Sequence, residues 1–321
     1  MNGTYSLAGY GKMLGDRRRM AAYAQALEAA IVPGMKVLDI GTGTGIHALL
    51  AARLGAAHVW AIEPDPVIHL AQRLAKENGW GDRITFIQDL STHVNLPEPV
   101  DLIVSDLRGV LPLFGHHLPS LLDARTRLLK PDGVLIPERD RLYVTLVQAP
   151  ELYAQYRQPW SDAPLGFDLS AIEQYALNRW YKCELKPEQC VVPAQVWGTL
   201  DYTRIENPNM QQTVTWELPE SQILHGLGMW FDTRLYREIG FSNAPEQPQY
   251  LYGQGFFPFE QPLEVQEGDR LQLRLQAKLV QNAYIWQWNT ELQRQGKTVV
   301  RYRQSTFKGK ISQAMLKRAS S

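Results

Sequence analysis

The chain has 321 residues, more than one domain usually holds, so two structural units are expected. Hydrophobic residues make up 45% and charged residues 21%, which excludes wholesale disorder. With 33 basic and 33 acidic side chains there is no global field to draw in nucleic acid or anionic lipid. Cys183 and Cys190 are too few for a disulfide framework or a closed zinc site, so no metal is expected. No stretch has the apolar length of a signal peptide or a membrane helix. The chain reads as soluble and cytoplasmic, with no nucleic-acid or membrane partner.

In chain order, MKVLDI, HVWAIE, RITFIQD, VDLIVSD and GVLIP are short apolar runs without polar alternation, as expected of strands buried on both faces. Helical stretches lie between them. IHALLAARLG places Ile46, Leu49, Leu50 and Leu54 at helical spacing and stops at Gly55. DPVIHLAQRLAKENG opens with Asp65 and Pro66 and closes at Gly79. LPSLLDARTRLLK follows the fourth strand. Strand and helix in alternation predict a doubly wound, Rossmann-like α/β unit with a parallel sheet.

Beyond Pro137 the pattern changes. RLYVTLV, QVWGTLDYTRI, QTVTWELP and RLQLRLQAKLV alternate in polarity, with Leu271, Leu273, Leu275, Ala277 and Leu279 on one face of the last. An antiparallel β unit, a sandwich or barrel, is expected there. After Glu291 the chain carries Arg294, Lys297, Arg301, Arg303, Lys308, Lys310, Lys317 and Arg318 with no acid, either a solvated tail or a partner-binding patch.

The richest stretch is VLDIGTGTGI, residues 37–46, a strand running through a glycine loop into a helix. Glycines let the backbone approach a ligand and adopt dihedrals that a side chain forbids. Glu63 ends the next strand about 20 residues on, where a carboxylate can accept both ribose hydroxyls. A dinucleotide loop needs a third glycine where this chain has Ile46. Here the glycines are Gly41, Gly43 and Gly45, preceded by Asp39, a poor neighbour for pyrophosphate but suited to an ammonium group. S-adenosylmethionine, which carries an ammonium and a sulfonium and no phosphate, fits better. A tight turn with no ligand is the plain alternative.

At these residues the chain resembles the type I protein arginine methyltransferases, over nearly its whole length. MLGDRRRMAAYAQAL (13–27) is similar to the family's M-L-x-D-x-x-R-x-x-x-Y helix at Met13, Leu14, Asp16, Arg19 and Tyr23. The resemblance implies that a helix over 10–30 covers the donor, with Arg19 on the donor carboxylate and held by Asp16, and Met13 near the sulfonium or adenosine. It also implies that Asp89 and Ser91 lie beside the adenine. PLGFDLSAI (164–172) resembles the start of the helical arm through which these enzymes form homodimers, HGLGMWFDT (225–233) a barrel strand, and the stretch through YLYGQGFF the loop facing the active site. The implied organisation is a donor-binding domain over 1–137 and an antiparallel β-barrel domain over 138–321 with a dimerisation arm at about 160–190.

The chain departs from the family where the substrate guanidinium should be gripped. The family uses two glutamates there; SDLRGVLPLFG has Asp106 at the first position and Gly115 at the second, keeps Gly109, and adds the cation Arg108. The family's Thr-His-Trp loop aligns with Tyr250, Leu251 and Tyr252, so its histidine is missing. Candidate catalytic groups are therefore Asp106, as anchor, and His116 and His117, as a general base or as padding of the following helix. Arg108, Tyr250 and Tyr252 are candidate substrate-pocket residues, core packing being the other reading of the tyrosines. His225 reads as a satisfied interior histidine. The expectation is an S-adenosylmethionine-dependent methyltransferase, without metal, that transfers methyl to a nitrogen or oxygen of a small or modified substrate. Genuine peptide arginine methylation and an inactive partner subunit are the alternatives.

Overall fold

The computed structural model describes residues 6–162, 164–248 and 250–310. Two helices come first. In α1 (Leu7–Gly15) the Ser6 hydroxyl accepts from the Gly9 amide; in α2 (Arg17–Ala30) the Asp16 carboxylate accepts from the Arg19 amide. The expected covering helix is thus two helices, broken where Asp16 caps the second.

Five strands, β1 (Lys36–Ile40), β2 (His58–Ile62), β3 (Ile84–Ile87), β4 (Val100–Ser105) and β5 (Leu129–Ile136), form a parallel sheet in the order β3-β2-β1-β4-β5. Helices α3 (Ile46–Arg53), α4 (Ile68–Glu77) and α5 (His117–Arg127) connect them. Asp65 accepts from the Val67 amide at 2.8 Å and so builds the turn ahead of α4, while Gly79, at φ +78°, closes it. Strand order reverses between β1 and β4, and the crevice beyond their carboxyl ends is where such sheets bind ligands. There Ile40 lies opposite Ser105.

The second half begins with β6 (Arg139–Val147), followed by α6 (Pro150–Ser161), α7 (Ser170–Ala176) and β7 (Tyr181–Cys183). The rest is antiparallel: β8 (Gln195–Asp201), β9 (Met210–Glu217), β10 (Gln222–Tyr236), β11 (Ile239–Ser242), β12 (Gln254–Val265), β13 (Arg270–Val280), β14 (Ala283–Arg294) and β15 (Lys297–Ser305). Hydrogen bonding arranges these strands as two sheets, β7-β12-β10-β6-β8 with β11 on β10, and β15-β14-β13-β9. They do not close into one hydrogen-bonded ring, so the expected barrel is a pair of open sheets around a shared core. Trp197, Trp286, Trp288, Phe257 and Phe259 fill that core, which runs without a break into the β1–β4 face of the parallel sheet through Leu111, Leu113 and Leu142. Of the residues that alternation places inward, Leu271, Leu273, Leu275 and Ala277 are buried and Leu279, near the end of β13, is half-buried. Of the expected arm over about 160–190, α7 is helical and β7 returns to the sheet; the basic positions Lys317 and Arg318 lie outside the described residues. Among the described residues no helix is long and apolar enough to cross a membrane.

Candidate active site

The switch point brings together the glycine loop after β1 and the segment after β4. Gly41, Gly43 and Gly45 have φ of +74°, +53° and +84°, values that only glycine adopts freely. Side chains also press on the loop. A Cβ at Gly41 would overlap Leu107, one at Gly43 would lie 2.9 Å from the Tyr10 ring, and one at Gly45 would lie 3.0 Å from Ala71. Asp39 is buried at the end of β1. Its Oδ2 accepts from Thr42 Oγ1 at 2.6 Å and from the Ala48 amide at 3.1 Å, in the first turn of α3. The chain's own carboxylate therefore takes the anion position that a phosphate would occupy at that helix start. Burial lifts the Asp39 carboxyl to about 7, against the lowering effect of those two hydrogen bonds. Glu63 accepts from the Gly43 amide at 3.1 Å and the Asp65 amide at 3.0 Å, which fixes both of its oxygens beside the loop, and burial raises its pKa.

Helix α2 carries Arg19 into the same crevice. The guanidinium forms an ion pair with Asp106 and donates through Nη2 to the Met13 carbonyl at 3.0 Å. Burial works against its charge, but Asp106, Tyr252 and Tyr23 outweigh that and raise the pKa. Asp16 does not touch the Arg19 side chain. It caps the backbone of α2 and accepts from the Leu251 amide at 2.9 Å, which ties the helix to the tyrosine loop of the second half.

Asp106 is fully engaged. Besides Arg19 it faces Arg108, whose Nε lies at 3.3 Å, and it accepts the Tyr252 hydroxyl at 2.8 Å. Burial opposes its charge, yet Arg108 and Arg19, with the Tyr252 hydrogen bond, hold the carboxyl down at about 2. Arg108 does not line an open substrate pocket: it is buried, donates to Asp140 at 2.8 Å and to the Tyr23 hydroxyl at 2.6 Å, and lies between aromatic rings. Tyr252 is buried with its hydroxyl on Asp106, whereas Tyr250 is half-buried and stacks on Phe241, so packing and contact with the site coincide in this pair.

The histidines do not converge on Asp106. His116 is exposed at the start of α5. His117 is buried behind the site, its Nε2 3.1 Å from the Tyr202 hydroxyl, which in turn donates to Asp140 at 2.5 Å. Burial, with Arg108 nearby, drops its pKa to about 3, so it is a neutral bridge between helix and sheet and not a base for an acceptor. Gly115 has φ +46° and open space where a Cβ would stand, so this position itself carries no carboxylate. Met13 is half-buried above Arg19. At the end of β3, Asp89 is exposed and paired with His93, while Ser91 is buried with a hydroxyl that lacks a partner. His225 is buried edge-on to Tyr153, and its Nδ1 has no hydrogen-bond partner, so it is interior but not fully satisfied.

Sequence reasoning passed over His47, Ser105, Asp140 and Thr233. His47 stacks on Tyr23 at 4.7 Å, is pressed down to about 4 by burial, and has an unpartnered Nε2. Asp140 did leave a signal: in β6 it shares the inward register with Leu142, Val144 and Leu146, where a charge requires an internal partner. Arg19 Nε, Asp39 Oδ1, His47 Nε2 and Ser105 Oγ are all buried without a partner, grouped at the ends of β1 and β4 and on the helices above them. A guanidinium, a carboxylate and two neutral groups of this kind suit a zwitterionic amino-acid group.

Two family models divide the sequence between them. Residues 20–137 match the ribosomal protein L11 methyltransferase (PrmA) model and residues 138–298 match the arginine methyltransferase oligomerization subdomain. The arginine N(omega)-methyltransferase of Streptomyces achromogenes subsp. streptozoticus is 32% identical over 270 residues, covering 82% of this chain and 74% of its own. Protein arginine N-methyltransferase 1.1 of Arabidopsis thaliana is 29% identical over 268 residues, covering 81% and 68%. Among solved structures, the open conformation of Arabidopsis thaliana protein arginine methyltransferase 10 superposes with a TM-score of 0.82 at 26% identity, over 94% of this chain and 97% of that one.

Proposed function

This chain belongs to the arginine methyltransferase family, and on that premise we propose that it is an S-adenosylmethionine-dependent methyltransferase whose acceptor is a small or modified molecule and not peptidyl arginine. One observation carries the choice of acceptor: the single carboxylate left of the guanidinium grip, Asp106, is already bound by Arg108 and Tyr252. Gly115 offers no second one. The Streptomyces relative is named for arginine where the plant relative is named for protein arginine, which is in keeping with a small acceptor.

Arg19 and Ser105 hold the donor's carboxylate, Asp39 its ammonium and Glu63 its ribose, while the glycine loop lets the backbone lie close. Asp89 and Ser91 border the adenine. The donor supplies a methyl carbon on a positively charged sulfur, and its C–S bond breaks as the acceptor's lone pair forms the new bond. The protein's part is to orient the acceptor and exclude water, and α1, with Tyr10 against the loop, provides a cover for that. The acceptor's proton leaves to solvent after transfer. Homodimerisation through the α6–α7 region and β7 is the corresponding assembly, in line with the matched oligomerization subdomain.

The test uses donor labelled in its methyl group, incubated with the protein and size-fractionated extract of the host, beside an arginine-rich peptide. Label in a small-molecule fraction and none in the peptide is the expected result. Efficient labelling of peptide arginine would transfer the reading to peptide substrates.

A further inference from the structure

His47 is the second residue of α3, directly behind the glycine loop, and only 6% of it is exposed. Its ring stacks on Tyr23 with centres 4.7 Å apart and 25° between the planes. Tyr23 has Arg19 as its other neighbour, the guanidinium carbon 6.0 Å from the ring centre, and its hydroxyl donates to the Ser105 carbonyl at 3.1 Å. Burial keeps the imidazole neutral, while Asp106 and Arg19 lie near enough to act on it in opposite senses. Its Nε2 is buried without a hydrogen-bond partner. Such a nitrogen costs stability, and an apolar side chain of similar size would fill this space without that cost.

We propose that His47 is a donor-binding residue: its ring N–H completes the grip on the α-carboxylate of the sulfur nucleoside, beside Arg19 Nε and the Ser105 hydroxyl. The inference rests on the proposed function and deepens it at the amino-acid end of the donor. The bonds that Arg19 already makes lead to it. Its Nη1 is on Asp106 and its Nη2 on the Met13 carbonyl, so Nε is the nitrogen left without a partner. Arg19 therefore offers a further anion one N–H without giving up Asp106, where a free guanidinium would offer a fork of two. A carboxylate accepts about four hydrogen bonds, and Ser105 Oγ adds one donor. His47 Nε2, carrying the ring proton, supplies another from the same cluster. Because the ring is neutral, it adds a hydrogen bond and no charge to a crevice that already holds Asp39, Asp106 and Arg19.

The experiment pairs two variants, His47→Leu and His47→Gln, with two nucleosides. S-adenosylhomocysteine carries the amino-acid end and is titrated by calorimetry; 5′-methylthioadenosine lacks it and is measured by competition at millimolar concentration. The expected result is that His47→Leu weakens S-adenosylhomocysteine by about tenfold or more and leaves 5′-methylthioadenosine within about twofold. His47→Gln, which retains an N–H, binds S-adenosylhomocysteine more tightly than His47→Leu does. Without ligand, His47→Leu melts no lower than the wild type, because the unpartnered nitrogen is gone. An equal loss for both nucleosides, or unchanged S-adenosylhomocysteine affinity in both variants, overturns the inference, as does a lower ligand-free melting temperature with unchanged affinity, which is the mark of a packing role. Failure of the methyltransferase reading is a separate outcome, seen as no binding of S-adenosylhomocysteine by the wild type.

Discussion

Asp39 and Asp106 are both buried carboxylates at the same sheet edge, yet their surroundings push them in opposite directions. Asp39 lacks a cation and is lifted to about 7; Asp106 lies between two guanidiniums and is held at about 2. A raised carboxyl favours the folded chain below the ordinary carboxylate range, and that contribution is gone once pH has risen to about 7. The donor's ammonium needs the ionised form, so S-adenosylhomocysteine affinity should fall by up to about tenfold per unit as pH drops below 7, and Asp39→Asn should flatten the profile. Calorimetric titrations between pH 6 and 8 check this, and a flat wild-type profile contradicts it. For Asp106 the sign reverses: its contribution is present above the ordinary range and is lost as pH falls toward 2. Asp106→Asn should cost about 3 kcal/mol near neutral pH, less as pH falls, measured by denaturant unfolding. The sequence made Asp39, Glu63 and Asp106 legible because each sits at a strand end, whereas Arg19 was legible only through its resemblance to the family's helix motif. It could not show that Arg108 would turn inward, because its partners Asp140 and Thr233 are distant in the chain and met only through folding.

Among the elements, the glycine loop and α1 are coupled by contact. Gly45 has positive φ and the Ala71 Cβ behind it, both backbone-anchored, so Gly45→Ala should destabilise the fold by about 1–3 kcal/mol and weaken donor binding. Gly43→Ala meets the Tyr10 ring instead, and Tyr10→Ala should recover the steric part of its effect on S-adenosylhomocysteine affinity, though not the part due to φ. An unchanged affinity in all three variants would separate the loop from the donor. Strand and helix positions were readable from apolar runs and from stops at Gly55 and Gly79. The break between α1 and α2 was less so: Asp16 there serves both as a cap and as an acceptor for Leu251, and the second role depends on a loop more than two hundred residues away.

The whole molecule joins a parallel sheet to two antiparallel sheets through one continuous core, and the Arg108–Asp140 pair lies at that joint. Alternating polarity announced the antiparallel half but not its closure, since the same pattern serves two facing sheets and a ring. Leu165 and Phe167, between α6 and α7, are 96% and 67% exposed, an apolar pair without cover in a single chain. If these residues seat the partner in the proposed homodimer, Leu165→Asp/Phe167→Asp should run at half the wild-type mass by light scattering while remaining folded; an unchanged mass would place the interface elsewhere. The central claim is that Arg19, Asp39 and Glu63 hold one sulfur nucleoside. The most direct measurement is calorimetric titration of the folded protein with S-adenosylhomocysteine: one site per chain, weakened at least tenfold by Arg19→Ala, is the predicted result, and no heat and no thermal stabilisation would contradict it.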